Sequence, residues 1–86
     1  MYEIELKPAA LRDLKRLPEQ IRRRIAIRIA SLTDNPRPRG AEKLAGVEET
    51  YRLRVGDYRI LYQIRERILL VLVVRVRHRR EAYRKM

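Results

Sequence analysis

The stretch of sequence that decides the fold is Tyr51-Arg52-Leu53-Arg54-Val55-Gly56-Asp57-Tyr58-Arg59-Ile60-Leu61-Tyr62. Apolar and charged residues alternate on both sides of the Gly56-Asp57 pair, and a period of two is typical of a half-buried strand. Two such runs joined by a two-residue Gly-X loop predict a tight β-hairpin. With Gly56 and Asp57 in the loop, the predicted cross-strand pairs are Val55–Tyr58, Arg54–Arg59 and Leu53–Ile60.

The two faces of this hairpin differ in chemistry, because directly opposed residues point to the same side of a sheet. One face carries tyrosines and aliphatic residues, and the other carries Arg52, Arg54 and Arg59. Like charges placed opposite each other weaken a sheet, so a chain that keeps them gains something elsewhere or holds them apart in water. The arginine face is therefore either a phosphate-binding surface on a rigid scaffold or a solvated basic surface.

The segments before the hairpin predict one strand and a pair of helices. Residues 2–7 alternate between apolar and charged side chains, as a half-buried strand does. Pro8 suits the first position of a helix, and leucines recur every three residues up to Leu17. Pro18 ends this helix and can open the next, which runs from about Glu19 to Thr33 with an apolar stripe of Ile21, Ile25, Ile29 and Leu32.

The remaining segments complete a small sheet. Residues 35–40 begin an irregular connection, and a loop at residues 65–67 follows the hairpin. Residues 68–74 are apolar at every position, which predicts a central strand covered on both faces and leaves open which face carries Arg75 and Arg77. We predict a single α+β domain over residues 1–86 in the order β-α-α-β-β-β. An N-terminal helical hairpin packs on one face of a small, mostly antiparallel twisted sheet, with the arginines on the opposite, concave face.

The composition narrows the class of partner. The chain has 22 Lys and Arg against 11 Asp and Glu, and a net charge of +11 favours a polyanion: RNA, DNA, an anionic membrane or an acidic protein. There is no cysteine and one histidine, and no ligand cluster has metal-binding spacing, so we expect no disulfide, metal or other cofactor. The N-terminus is not typical of a signal peptide and residues 68–74 are too short to span a bilayer, so we expect a cytoplasmic protein.

Three segments carry a resemblance to a known family. They are Leu44-Ala45-Gly46, the hairpin stretch, and Val76-Arg77-His78-Arg79-Arg80-Glu81-Ala82-Tyr83. Together they resemble the RelE/ParE superfamily of toxins from type II toxin–antitoxin systems, nearest the RelE branch. This resemblance implies the RelE-like fold and a metal-independent endonuclease that cuts mRNA in the ribosomal A site, where the ribose 2′-OH attacks the adjacent phosphate. The alternatives are a ParE-like toxin that binds DNA gyrase and cleaves nothing, and a basic RNA-binding module with no activity.

The resemblance also implies site residues and partners. Arg59 corresponds to the arginine of the family's Tyr-Arg-hydrophobic-hydrophobic-Tyr segment, Arg79 to an arginine near the end of the last strand, and Tyr83 to a tyrosine that stacks on or orients the cut nucleotide. The predicted catalytic residues are Arg54, Arg59, Arg79 and Tyr83, and the predicted RNA-binding residues are Arg52, Arg77, His78 and Arg80. The expected partners are the ribosome, mRNA and a small, acidic, partly disordered antitoxin that forms a hetero-oligomer with the toxin.

The proton-accepting group is not fixed by this resemblance. Arg52 and Arg54 stand where well-known members have lysines, and arginine stays charged where lysine can lose its proton. The role therefore passes to another group, for which Tyr83 and His78 are the candidates, or to no group at all. Strand alternation tends to point His78 away from the side that holds Arg79, which favours Tyr83.

Overall fold

A computed structural model of the protein describes residues 1–80. The strands are β1 (Glu3–Leu6), β2 (Ala41–Lys43), β3 (Thr50–Val55), β4 (Tyr58–Arg65) and β5 (Leu70–His78), the helices are α1 (Pro8–Lys15) and α2 (Glu19–Ser31), and a 3₁₀ turn spans Glu66–Ile68. The strands form one mixed sheet in the order β1-β5-β4-β3-β2, in which β1 runs parallel to β5 and the other neighbouring pairs are antiparallel. The α+β fold predicted from the sequence is confirmed.

Prolines set both helix starts. Pro8 occupies the first turn of α1, where its missing N–H leaves no helical hydrogen bond unmade. Pro18 is the N-cap residue of α2, and Glu19 follows in the first turn, where a negative charge complements the helix dipole. Helix α2 ends at Ser31, two residues before the predicted end. Neither helix in the described part of the chain is long and apolar enough to cross a membrane.

The core lies between the two helices and one face of the sheet. Its largest fully buried side chains are Tyr62, Ile25, Leu32, Leu53, Ile60, Ile64, Val71 and Val73. The hairpin has the predicted register, with Leu53 opposite Ile60 and Arg54 opposite Arg59. Its apolar face therefore packs beneath the helices, and its arginine face points away from the core.

Strand β2 is missing from the sequence prediction. It is three residues long and pairs with β3 at the edge of the sheet, which places Glu42 opposite Arg52. A segment this short has no alternation to recognise, and its strand geometry comes from pairing with β3 rather than from propensity. Its consequence is a carboxylate on the arginine face.

Strand β5 begins at Leu70, two residues later than the apolar run of residues 68–74 predicts. Ile68 lies in the 3₁₀ turn and Leu69 has a left-handed conformation (φ 51°), and both side chains are exposed. Val71 and Val73 are buried beneath the helices, whereas Leu72 on the opposite side is only partly buried. The expectation that both faces of this strand are covered is therefore wrong. Strand β5 is internal because it lies between β1 and β4.

A β-bulge in β5 decides which way its last residues face. The pairing with β4 shifts by one position at Val74, which is the extra residue of the bulge. Val73 and Val76 consequently both point into the core although they are three positions apart. Arg77 then lies opposite Arg59, on the face away from the helices. The bulge thus settles the orientation that the sequence left open.

Candidate nucleic-acid interface

Three arginines lie side by side on the sheet face that points away from the helices. Arg54 of β3 pairs with Arg59 of β4, and Arg59 pairs with Arg77 of β5. Neighbouring strands are about 4.8 Å apart, so these side chains leave the sheet along a line of about 10 Å. We call Arg54, Arg59 and Arg77 the arginine row. The structure thus brings together two predicted catalytic residues and one predicted RNA-binding residue.

The arginine row concentrates positive charge on a rigid support. Arg54 is exposed and its Nε donates to the carbonyl of Gly56 (3.0 Å), whereas Arg59 and Arg77 are half-buried. Opposed like charges destabilise a sheet. Guanidinium groups bind phosphate oxygens with strong, often bidentate hydrogen bonds. A phosphate bound across the row would offset this repulsion without any movement of the backbone.

Arg79 and Arg80 follow β5 at the end of the sheet where the hairpin turn lies. The backbone N–H of Arg79 donates to the carbonyl of Asp57 (2.8 Å), and both arginine side chains are exposed. This bond fixes the chain where it leaves the strand, so Arg79 lies close to the end of the arginine row. The predicted catalytic residue Tyr83 lies outside the described residues.

His78 lies on the other side of the sheet from the arginine row. It pairs with Tyr58, and the two rings meet edge-on with centroids 5.0 Å apart. Its Nδ1 accepts a hydrogen bond from the backbone N–H of Arg80 (3.1 Å). A neutral imidazole that accepts at Nδ1 carries its proton on Nε2, so it has no second lone pair to offer a substrate. This geometry favours a supporting role for His78 over that of proton acceptor.

Arg52 is held by a carboxylate that the sequence analysis did not place on this face. Its Nη2 lies 2.5 Å from Oε1 of Glu42, its register partner in β2, and both side chains are partly exposed. The hydrogen bond and charge of Arg52, helped by the charge of Arg59, lower the pKa of Glu42. Glu42 is the functional candidate that sequence reasoning missed. The available signal was its position two residues before the Leu44-Ala45-Gly46 motif.

The arginine face combines groups suited to phosphate chemistry. The arginine row can stabilise the negative charge that develops on a phosphate under attack. Glu42 is an ionised carboxylate on the same face and can accept a proton. Within residues 1–80, no three His, Cys, Asp or Glu side chains lie together as metal ligands would.

A second charged cluster lies at the opposite end of the hairpin. Arg37 donates from Nε to the hydroxyl of Tyr51 (3.0 Å), and its Nη2 lies 2.6 Å from Oε2 of Glu66. Tyr2 donates to Oε1 of Glu66 (2.7 Å), and this bond together with Arg37 lowers the pKa of Glu66. Every partner belongs to this chain, and Tyr51 is buried as the sequence predicts. We interpret this cluster as structural.

The chain is similar to known toxins over nearly its whole length. The family model described as ParE toxin of type II toxin-antitoxin system, parDE, matches residues 4–83. A putative toxin RelE1 from Methanocaldococcus jannaschii is 28% identical over 86 residues, which cover 96% of each chain. The mRNA interferase toxin RelE of Escherichia coli K12 is 29% identical over 86 residues, which cover 95% of this chain and 90% of that protein.

A solved structure agrees with these sequence relationships. A chain of the toxin–antitoxin complex RelBE2 from Mycobacterium tuberculosis matches with a TM-score of 0.79 and 31% identity, over 90% of this chain and 96% of that chain. The family model, the relatives and the fold all agree with the resemblance that the three sequence segments carry. The chain belongs to the RelE/ParE superfamily of toxins from type II toxin–antitoxin systems.

Proposed function

We propose that the protein is the toxin of a toxin–antitoxin pair and that it cleaves mRNA in the ribosomal A site without a metal ion. The arginine row carries this proposal, because three guanidinium groups in register form a preorganised site for a phosphodiester. The name of the related E. coli protein, an mRNA interferase toxin, supports RNA as the polyanion. The net charge of +11 favours the same class of partner.

The reaction replaces the bond between phosphorus and the 5′-oxygen of the next nucleotide with a bond between phosphorus and the 2′-oxygen. The 2′-oxygen attacks the adjacent phosphate and forms a new bond to phosphorus, while the bond to the 5′-oxygen of the next nucleotide breaks. The 2′-OH proton passes to a base and the departing 5′-oxygen takes up a proton, which gives a cyclic phosphate and a free 5′-OH. Arg54, Arg59 and Arg79 stabilise the extra negative charge on the five-coordinate phosphorus.

Glu42 is our candidate for the base. The arginines remain protonated, and His78 already uses its Nδ1 lone pair in the bond to Arg80. Phosphate oxygens compete with Glu42 for Arg52, so substrate binding would release the carboxylate from its 2.5 Å ion pair when a proton must be accepted. Tyr83 then stacks on the nucleotide being cut, as the family resemblance implies.

We propose further that the cognate antitoxin is a small, acidic and partly disordered protein that folds on binding. A chain with a net charge of +11 and a basic sheet face is complementary to such a segment. An antitoxin that covers the arginine row would exclude RNA from the same surface, and the association should weaken as salt rises. An inhibited complex with Arg54 and Arg59 fully accessible would show that inhibition works elsewhere.

Toeprinting on translating ribosomes with the purified protein tests the proposed activity. We expect new mRNA ends inside the A-site codon, and we expect them to disappear when Arg59→Gln replaces the parental protein. Intact mRNA together with blocked DNA supercoiling would instead support a gyrase-binding toxin, the interpretation favoured by the description of the matching family model. Intact mRNA with normal supercoiling would contradict both functions.

A further inference from the structure

The carboxylate of Asp13 joins helix α1 to the bulge in β5. Asp13 Oδ2 accepts hydrogen bonds from Arg75 Nε (2.8 Å) and from the backbone N–H of Val76 (2.9 Å), and Oδ1 accepts from Arg75 Nη2 (3.1 Å). The Asp13 side chain is 9% exposed and the Arg75 side chain 36%. We call these three bonds the Asp13 clasp. It connects two elements that are far apart in sequence and holds the strand at its one irregular point.

The clasp supplies an acceptor for the backbone N–H of Val76, which lies beyond the last register pair of β1 with β5, Leu6–Val73. A backbone N–H without a strand partner needs another acceptor. A carboxylate is a strong acceptor for both an amide and a guanidinium. Burial raises the pKa of Asp13, but the hydrogen bonds from Arg75 and Val76 and the charges of Arg75 and Arg77 outweigh it and lower the pKa overall. Asp13 is therefore ionised at neutral pH.

The bulge determines the direction of Arg77. Val71 and Val73 point into the core, and in a regular strand residues 75 and 77 would follow them to that side. The bulge instead turns Val76 inward and puts Arg77 opposite Arg59 on the outer face. Loss of the bulge would either direct the charge of Arg77 beneath the helices or slip the register of β5 against β4.

We infer that Asp13 is a positioning residue for the RNA-binding surface, because it holds the bulge that sets Arg77 in the arginine row. The inference rests on the proposed function for the identity of the ligand, whereas the direction of Arg77 can be measured without any ligand. A surface carboxylate weakens RNA binding by its negative charge. Asp13 should have the opposite effect on RNA affinity, because removing its carboxylate disturbs the clasp and should weaken binding.

Binding to a single-stranded 2′-O-methyl RNA, which has no 2′-OH to attack, tests the direction of this change in affinity. Asp13→Asn removes the carboxylate charge, and Glu5→Gln is the matched control because it removes the same charge from an exposed residue of β1. Glu5→Gln should bind the RNA at least as tightly as the parental protein. Asp13→Asn should bind about tenfold more weakly. Its plot of log affinity against log salt should become shallower by about 0.7, the value of one phosphate contact on a single strand.

A double-mutant comparison with Arg77 separates positioning from a general loss of stability. Arg77→Gln should weaken binding about tenfold in the parental protein. In the Asp13→Asn background it should cost about twofold or less, because the two changes remove the same contact. Additive losses would overturn the inference. So would an affinity of Asp13→Asn equal to that of Glu5→Gln.

NMR supplies the measurement that needs no ligand. Cross-strand Overhauser contacts between the backbones of Arg59 and Arg77 should be present in the parental protein and lost in Asp13→Asn, and retained contacts would contradict the inference. If Asp13→Asn does not fold, Arg75→Gln carries the same test, with a weaker clasp and a smaller loss of RNA affinity. Loss of these contacts on substitution, in a protein whose parental form gives no A-site cleavage in toeprinting, would overturn the proposed function and leave the positioning role intact.

Discussion

At one end of the β3–β4 hairpin, Arg37 binds the Tyr51 hydroxyl and the Glu66 carboxylate, whereas near the other end Arg59 lies between Arg54 and Arg77. The printed partners of Arg37 are a hydroxyl and a carboxylate, whereas the register neighbours of Arg59 carry charges of its own sign. Acceptors stabilise a fold and opposed like charges weaken it. Three like charges at neighbouring register positions suit a polyanionic ligand, whereas the mixed charges around Arg37 suit a contact within the fold.

The largest effect on the cleavage rate is expected for Glu42, and it shows whether Glu42 is a catalytic residue or only an ion-pair partner. Glu42→Gln should lower the single-turnover rate on programmed ribosomes by about 10²–10⁴, because glutamine cannot accept the 2′-OH proton. Arg52 lowers the pKa of Glu42 from its ordinary 4.5, so the carboxylate should be charged throughout the neutral range and its titration should not affect the rate there. Glu48→Gln, an exposed residue, is the control. A near-parental rate for Glu42→Gln would make Glu42 an ion-pair partner like Glu66.

The second effect separates activity from stability within the arginine row. Arg59→Gln should lower the cleavage rate by about 10²–10³, and Arg79→Ala should lower it by about tenfold or more. Arg59→Gln should still unfold cooperatively, because the core residues Leu53 and Ile60 beneath the arginine row are unchanged. Arg67→Gln removes the same charge from the exposed 3₁₀ turn and serves as the control. Parental cleavage by either variant would remove that arginine from the site.

The two halves of the arginine row differ in how far the sequence could predict them. The Arg54–Arg59 pair follows from Gly56-Asp57, because a two-residue loop fixes the register of a hairpin. The place of Arg77 depends on the bulge in β5, whose Val76 amide is held by a carboxylate 63 positions away in sequence. No local pattern of residues encodes such a contact. Sequence reasoning therefore found the strand but not the direction of its last residues.

Glu42 escaped the sequence analysis for a related reason. Its strand has three residues and exists because β3 offers an edge to pair with. Because the segment after residue 35 was predicted to be irregular, Glu42 was not expected beside Arg52 on the sheet. Elements with their own periodicity, such as the helices and the hairpin, could be predicted. Elements created by pairing with the rest of the fold could not.

The third effect, on stability, is expected at Arg37, which binds Tyr51 and Glu66. Arg37→Met should lower the free energy of unfolding by about 1 kcal/mol, chiefly because the partly buried Tyr51 hydroxyl loses its donor. The ion pair with Glu66 contributes less, since 43% of the Arg37 side chain is exposed and water screens the charges. Urea unfolding measures the change, with exposed Arg39→Gln as the control. The cleavage rate per folded molecule should equal that of the parental protein. A loss as large as that of Arg59→Gln would show that the Arg37 cluster also takes part in activity.

The smallest effect is expected at His78, which lies beside the arginine row in sequence but on the opposite side of the sheet. His78→Gln loses the edge-on contact with Tyr58, and because its amide corresponds to Nε2 rather than Nδ1, it also loses the bond from the Arg80 N–H. If the imidazole transfers no proton, these changes should lower the cleavage rate by about tenfold or less. Single-turnover cleavage, measured beside Glu42→Gln, gives the comparison. If His78→Gln proves the more damaging of the two, the imidazole is the base, and the chain beyond β5 must rearrange on RNA binding to free its Nδ1.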